Sequence, residues 1–556
     1  MRWHLFTGQA LLLILTTSAK KIRLPPNPFL GHSSFVNPAR QKEYDASIET
    51  ADGQVKMNLE IMRNTSSAYW VDTKAKISGN TPETAEGILA SASSKSPPEL
   101  VVLVWYNLPN RDCDGQAQNV EICCTANSDG SCNYADVSDC ADGLEEYKSN
   151  YVDPFIHLLE KYTGLLPVVI VVEPNSLTNL VTNLGNPNCA NEATQNAYKM
   201  GTKYALEQLI AKTEATIYID AGHGGWLGLE DTTVQFMNLL KELELPLHGV
   251  RGFSTDVSGY QPLGIMCPWE PDSTYRNGFC LGGKNKDDPC CRDPCSSLDK
   301  HPGNNELNYA QQVHMAAKGI LEMTAHIIID TGRNGVEDMR TDCAEWCNIR
   351  GAGAGVLPTS DVPNPDIIDA YAWLKPPGES DGCTLILPND QTCSRFENMC
   401  ASQVSIGSEP DEPRAPETGK WFDYQAKQLA ANARFTLPPA PSSRESAPPP
   451  VVQGVSEDVT GPGHGGPSGG KCCWGAGCDA CTAVGGSCDE SQKNCESDCG
   501  GNWCAATASS FLQSRHLRGL SDVRKAVLLQ GSSDIRSVEK LMLEDEASRE
   551  GPSDEL

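Results

Sequence analysis

The sequence predicts an α/β protein, a closed or nearly closed parallel β/α barrel, followed by a small disulfide-rich C-terminal module. Three observations carry this. Six short runs rich in β-branched and aromatic residues alternate with longer helical patterns, as in a parallel sheet wrapped by helices. No glycine-rich nucleotide fingerprint follows any run, which favours a barrel over an open doubly wound sheet. From residue 437 the composition turns to Pro and Gly, and eight cysteines then crowd positions 472 to 504.

Taken in order, residues 1–19 read as a cleaved signal peptide, with Arg2 and His4 ahead of an apolar run at 10–15 and the small residues Thr17, Ser18 and Ala19. That run is well short of the roughly 20 residues that span a bilayer, and no later segment qualifies, so no membrane association is expected. Residues 20–54 form an N-terminal extension, and 55–436 the large domain. Its strand candidates are 101–106, 168–172, 216–219, 250–253, 327–329 and 370–374; its helix candidates are 144–162, 191–212, 232–243 and 307–323. Residues 437–470 read as an extended linker. Residues 471–504 form a cysteine-rich module containing Trp474 and Trp503, with a zinc site at Cys478 and Cys481 as the alternative chemistry. Residues 505–556 read as a marginal helix or disordered tail, ending in a Ser-Asp-Glu-Leu sequence similar to an endoplasmic-reticulum retention signal.

Charge and cysteine content narrow the chemistry. The 44 Lys and Arg against 72 Asp and Glu give a formal net charge of −28, which repels phosphate backbones, so nucleic-acid binding is not expected. The 24 cysteines fit an oxidising compartment, as does the sequon at Asn64, and point to a secreted protein.

In a β/α barrel the chemistry gathers where strands end, and these strand ends are acidic. They carry Arg111 and Asp112; Glu173 and Asn175; Asp220 and His223; Asp256; Asp330 and Arg333; and Lys375, Glu379 and Asp381. Capping and turn chemistry explains some Asp and Asn at such junctions, but does not call for cations among them or for the nearby Trp70, Trp226 and Trp346. Carboxylates in a cleft with indole rings suit carbohydrate chemistry: sugar faces stack on Trp, while paired carboxyls protonate the leaving oxygen and assist water.

Five segments in order resemble glycoside hydrolase family 6, the cellobiohydrolases and endoglucanases that cleave β-1,4-glucan with inversion. They are VLVWYNLPNRDC at 102–113, IVVEPNSL at 170–177, YIDAGHGGWLG at 218–228, WCN at 346–348 and WLKPPGESDG at 373–382, within a stretch of roughly 65–436. The resemblance implies a distorted barrel of seven parallel strands over residues 55–436, a β-1,4-glucan partner, no cofactor or metal, and action as a monomer. It assigns Asp112 to tuning the acid and arranging water, Asp381 to the remote base, Asp220 to support and Tyr106 to sugar distortion. Lys375 and Glu379 match hydrogen-bonding positions, and Trp70, Trp226 and Trp346 match stacking positions. His223 and Arg111 are further substrate-binding candidates, and the pairs Cys113 with Cys189 and Cys347 with Cys400 match two family disulfides.

One departure stands out. The family's Glu-Pro-Asp motif carries the general acid on its Asp, and here that position is Asn175, whose amide has no usable proton. Two readings follow: a glucanase that acts weakly or through another acid, such as Glu173 or a water-relayed carboxylate, and a glucan-binding pseudoenzyme; a third, a structural wall or matrix protein, rests only on export and cysteine content. Gln118 is a second departure, near a small water-holding residue of the family. Two cysteine-rich insertions, at about 119–141 and 265–303, would either wall the substrate or decorate the surface, the odd cysteine of the second pairing with Cys343, Cys383 or Cys393. By architectural analogy the terminal module binds carbohydrate.

Overall fold

In the computed structural model the described residues are 26–436, apart from 116–119, 129, 136–138, 272–274, 297–301 and 385–396, together with the strand backbones at 470–474, 482–483 and 502–505. The segment expected to be a signal peptide, Gln118, Cys393, most of the expected linker, the loops of residues 471–504 and residues 506–556 lie outside them. The chain divides into two units, residues 1–445 and 446–556.

The first unit is built on seven strands: β1 (Tyr69–Val71), β2 (Val101–Trp105), β3 (Val168–Val172), β4 (Thr216–Asp220), β5 (Gly252–Thr255), β6 (His326–Asp330) and β7 (Ile368–Ala372). They hydrogen-bond in sequence order, every pair parallel, so the sheet curls into a partial barrel that leaves β1 and β7 at its edges. This is the seven-stranded, distorted β/α barrel that the motifs imply. Only six of these strands show as runs in the sequence, because β1 is three residues long, too short for alternation to register.

Alternation sets the register of the others. Leu103 and Trp105 of β2, with Ile170 and Val172 of β3, face the helices, whereas Val104, Val169, Val171, Tyr218, Ile328 and Ala370 fill the barrel interior. Gly252 allows β5 to approach β6, since a Cβ there would lie 1.7 Å from the His326 carbonyl oxygen.

The helices are α1 (Pro38–Glu49), α2 (Gly53–Arg63), α3 (Ala85–Ser93), α4 (Ala141–Glu146), α5 (Asp153–Tyr162), α6 (Ser176–Thr182), α7 (Pro187–Ala190), α8 (Glu192–Lys212), α9 (Gly224–Leu227), α10 (Glu230–Glu242), α11 (Glu306–Ile320) and α12 (Asp423–Ala431). A π-helical turn over Tyr147–Val152 joins α4 to α5, so the helix expected at 144–162 is one interrupted element. α1, α2 and α12 pack together around Tyr44, Leu59, Met62, Trp373 and Leu429.

Disulfides Cys113–Cys189 and Cys347–Cys400 are present. The first insertion is stapled by Cys123–Cys132 and Cys124–Cys140, and the second by Cys267–Cys290 and Cys280–Cys291. The second insertion's odd member, Cys295, pairs with Cys343. In the second unit three short antiparallel strands, Gly470–Trp474, Thr482–Ala483 and Asn502–Ala505, form a sheet with the first at its centre.

Candidate active site

Sequence places six strand ends on one rim, and the backbone there is held in an unusual conformation. Asn110, Asp112, Glu173, Asn175, Asp256 and Ser258 all have positive φ, between 48° and 64°. Left-handed backbone at non-glycine residues is costly and collects at functional sites, where surrounding packing enforces it.

These strand ends open into a cavity of about 840 Å³, lined by Trp70, Tyr106, Asp112, Asn175, His223, Trp226, Trp346, Lys375, Glu379 and Asp381 among others. Ten of the twelve expected catalytic and binding residues thus meet on one wall system. Two do not. Asp220, at the end of β4, sits behind the wall, where its Oδ2 accepts from the backbone N–H of Asn175 at 2.9 Å and of Gly222 at 3.2 Å. Arg111 turns inward, and its Nη1 donates to the carbonyls of Asp72 and Tyr106 and to Asn107 Oδ1. A buried guanidinium bracing two carbonyls shapes the loop, and Arg111 is not among the residues that line the cavity.

Of the two readings of the insertions, surface decoration fits better: no described residue from 119–141 or 265–303 lines the cavity. The first packs on the β2 loop and α8, with Cys124 N–H on Asn110 Oδ1 and Asn191 Nδ2 on the Tyr134 carbonyl. The second wraps α11 through Asn308, which accepts from Cys267 N–H at 2.7 Å. The Cys295–Cys343 disulfide links it to the wall, because Cys343 lines the cavity.

Burial governs the carboxyls. It raises Asp112 to about 7, helped by Glu397 and opposed by Arg111, and it raises Asp220 to about 7 against its two backbone donors. Glu173 is likewise raised to about 7, but its oxygens accept from Asn107 N–H, Leu108 N–H and the Tyr147 hydroxyl at 3.2, 3.4 and 2.8 Å, and it does not line the cavity. Glu173 therefore faces away from any leaving group, and the expectation of it as a replacement acid is not supported. Asp381 is held by a cation: Arg333 Nη1 reaches both its oxygens at 2.7 and 2.8 Å, and the Tyr260 hydroxyl and Asn348 N–H donate to Oδ2 at 2.8 and 2.9 Å.

The stacking candidates are held by their polar edges. Trp70 Nε1 donates to the Leu374 carbonyl at 2.8 Å, with Tyr106 edge-on at 5.3 Å, and Trp226 Nε1 donates to Thr182 Oγ1 at 2.6 Å. Sequence reasoning missed Arg40 and Glu43 on α1, and Lys76, Glu397 and Trp421, all of them lining the cavity. Only Trp421 offered a signal, an indole of the kind counted elsewhere.

Among the described residues one set of groups around the cavity has metal-ligand proximity: atoms of His223, Asp256 and Glu306 lie within 4.8 Å of one another. Arg340 already supplies positive charge to Asp256 and Glu306, which competes with a cation.

These shifts predict how stability depends on pH. Asp112, Glu173 and Asp220 titrate near 7 when folded and near their ordinary values, 3.8 to 4.5, when unfolded. Between those limits the folded chain holds more protons at these groups than the unfolded one, so their contribution to stability falls as pH rises from about 4 to about 7. Below about 4.5 the lowered carboxyl of Glu379 acts in reverse, since its contribution is lost on acidification. The midpoint of thermal unfolding should therefore be highest at mildly acidic pH. The decline towards neutral pH should be shallower in Asp220→Asn, by up to about 1.4 kcal/mol per pH unit; an unchanged slope would show that Asp220 is not the protonated group.

Residues 29–433 match the family model for glycosyl hydrolases family 6. The chain is 32% identical over 416 residues to "Exoglucanase 3" of Agaricus bisporus, covering 74% of this chain and 80% of that protein. It is similar to the catalytic domain of Cellulomonas fimi Cel6B, with TM-score 0.60 and 28% identity over 75% of this chain and 99% of that one. It is similar as well to cellobiohydrolase II (Cel6A) from Humicola insolens in complex with glucose and cellotetraose, with TM-score 0.57 and 26% identity over 73% and 99% of the two chains.

Proposed function

The chain belongs to the glycosyl hydrolases of family 6, and from that premise we propose that it binds β-1,4-glucan in the strand-end cavity and hydrolyses it slowly, with inversion. It is a glycoside hydrolase of the cellulase type. The observation that carries the reading is the convergence of Tyr106, Asp112, Asp381 and three tryptophans on one cavity, with an amide, Asn175, at the remaining position.

In the reaction a water oxygen bonds to the anomeric carbon as the glycosidic C–O bond breaks. The water gives its proton towards the Asp381 carboxylate, and the departing sugar oxygen takes one. Asn175 can hydrogen-bond that oxygen but has no proton to transfer. The wall carboxyl best suited to supply one is Asp112, which burial keeps protonated towards pH 7, acting through an intervening water. A relay of this kind replaces direct donation and accounts for a slow step. Export fits the same reading, since seven disulfides join described cysteines.

The test is cellohexaose, followed by calorimetry for binding and by proton NMR for the anomer released. Binding with slow release of the α-anomer is the expected result. Binding without turnover between about pH 4 and 8, the working range of tuned carboxyl acids, would make the chain a glucan holder. Absence of both binding and turnover overturns the proposal.

A further inference from the structure

We propose that Arg40, on α1, is a specificity-determining residue of the cavity: it fixes the Glu379 carboxylate and presents guanidinium donors to the glucosyl unit that stacks on Trp70. This rests on the glucan-binding reading above and extends it to a residue outside the five sequence segments that resemble the family's motifs.

The geometry begins with how α1 is keyed to the β7 loop. The Tyr44 hydroxyl donates to the Pro377 carbonyl at 2.7 Å, Tyr44 packs edge-on against Trp421 at 4.7 Å, and Trp421 Nε1 donates to Ser47 Oγ at 3.1 Å. Gly378, at φ 104°, makes this fit possible, because a Cβ there would lie 2.5 Å from the Trp421 ring. Held in this way, Arg40 stands 5.7 Å from the Trp421 ring centre, with Nη2 donating to Glu379 Oε1 and Nη1 to Glu43 Oε2.

The line of charge continues inward. Glu379 Oε2 lies 3.3 Å from Lys375 Nζ, and that ammonium lies 5.3 Å from the centre of the Trp70 ring. Glu43, Arg40, Glu379, Lys375 and Trp70 all line the cavity. A pyranose face on Trp70 would therefore present its hydroxyls to an alternating row of fixed donors and acceptors. Both Glu379 oxygens are tied by cations, so its orientation depends on Arg40 as well as on Lys375. A planar guanidinium can fork between Glu43 and Glu379 in a way a single ammonium cannot.

Glu379 is faced by Arg40, Glu43 and Tyr44 from α1, by Lys375 from its own loop, and by Lys76 and Tyr69 from the β1 segment. Burial pushes its carboxyl up, but Arg40, Lys375 and Lys76 outweigh burial and hold it below the ordinary range. Without Arg40 the carboxyl must rise, and glucan binding then acquires a titration that the native protein lacks.

The experiment titrates cellotetraose calorimetrically into the full chain, Arg40→Met and Arg40→Lys between about pH 4 and 8, where carboxyls of raised and ordinary pKa both titrate. At neutral pH, Arg40→Met should bind about tenfold more weakly, equivalent to about 1.4 kcal/mol. Arg40→Lys should bind about threefold more weakly, because the charge remains and the fork is lost. The Met variant should also show an added pH step in affinity that wild type lacks. Wild-type affinity and pH profile in Arg40→Met overturn the proposal. Should that variant fail to fold, unchanged affinity in Arg40→Lys overturns it equally. If the wild-type chain binds no cellotetraose, the glucan reading falls and this one with it; binding by wild type with indifferent variants overturns this one alone.

Discussion

Asn175→Asp is expected to raise kcat on cellohexaose by about 10²- to 10⁴-fold, the usual worth of a positioned general acid. The substitution asks little of the fold. Asn175 has φ 59° and ψ 11°, a left-handed conformation that Asp tolerates about as well, and its side chain caps no helix N–H, so no cap is lost. Its backbone N–H stays on Asp220 Oδ2. The new carboxyl would stand on a wall shared with Asp112 and in front of buried Asp220, surroundings that favour the protonated form and hence proton donation at mildly acidic pH. The leaving group supplies the diagnostic. A sugar alcohol needs protonation to depart and a dinitrophenolate does not, so the gain should be large on cellohexaose and small on a dinitrophenyl cellobioside. Equal gains on both would mean that the substitution acts on binding or structure, and no gain on either would place the defect outside residue 175.

Why that position could be read from the sequence, while others could not, follows from how each residue reaches the cavity. Asn175 sits in a contiguous strand-end segment whose neighbours fix its register, as do Tyr106, Asp112, Lys375 and Asp381, so chain position alone nearly fixes spatial position. Asp220 and Arg111 sit in equally recognisable segments, yet side-chain direction keeps both off the cavity wall: Asp220 accepts from two backbone donors, one of them the Asn175 N–H, as a supporting carboxylate would, and Arg111 folds back on carbonyls. The strands were legible because a buried parallel sheet writes β-branched runs, except β1, whose three residues carry no period. Arg40 was not legible at all. It meets Glu379 across 339 residues, from a helix with little apolar asymmetry, and only tertiary packing brings the two together.

Asp381→Asn is expected to cost about 3 to 5 kcal/mol of unfolding free energy, because it leaves a buried cation without its counter-charge. The Arg333 side chain is 1% exposed, and its Nη1 contacts both Asp381 oxygens, while the Tyr260 hydroxyl and Asn348 N–H point at Oδ2. An amide keeps one acceptor oxygen but turns its NH₂ towards donors. The Tyr260 hydroxyl can reverse its role; the Asn348 N–H cannot. Urea unfolding should register the loss as a lower midpoint with an unchanged slope. Turnover should vanish too, but that alone would not separate a base from a structural anchor. The separation comes from Arg333→Met combined with Asp381→Leu in the Asn175→Asp background. Removing both charges together avoids the orphaned ion and should recover much of the lost stability. If Asp381 only anchors the loop, turnover should return with stability. If it accepts the proton of the attacking water, stability should return while cellohexaose hydrolysis stays at least about 10²-fold below the parent, since no apolar side chain can take that proton.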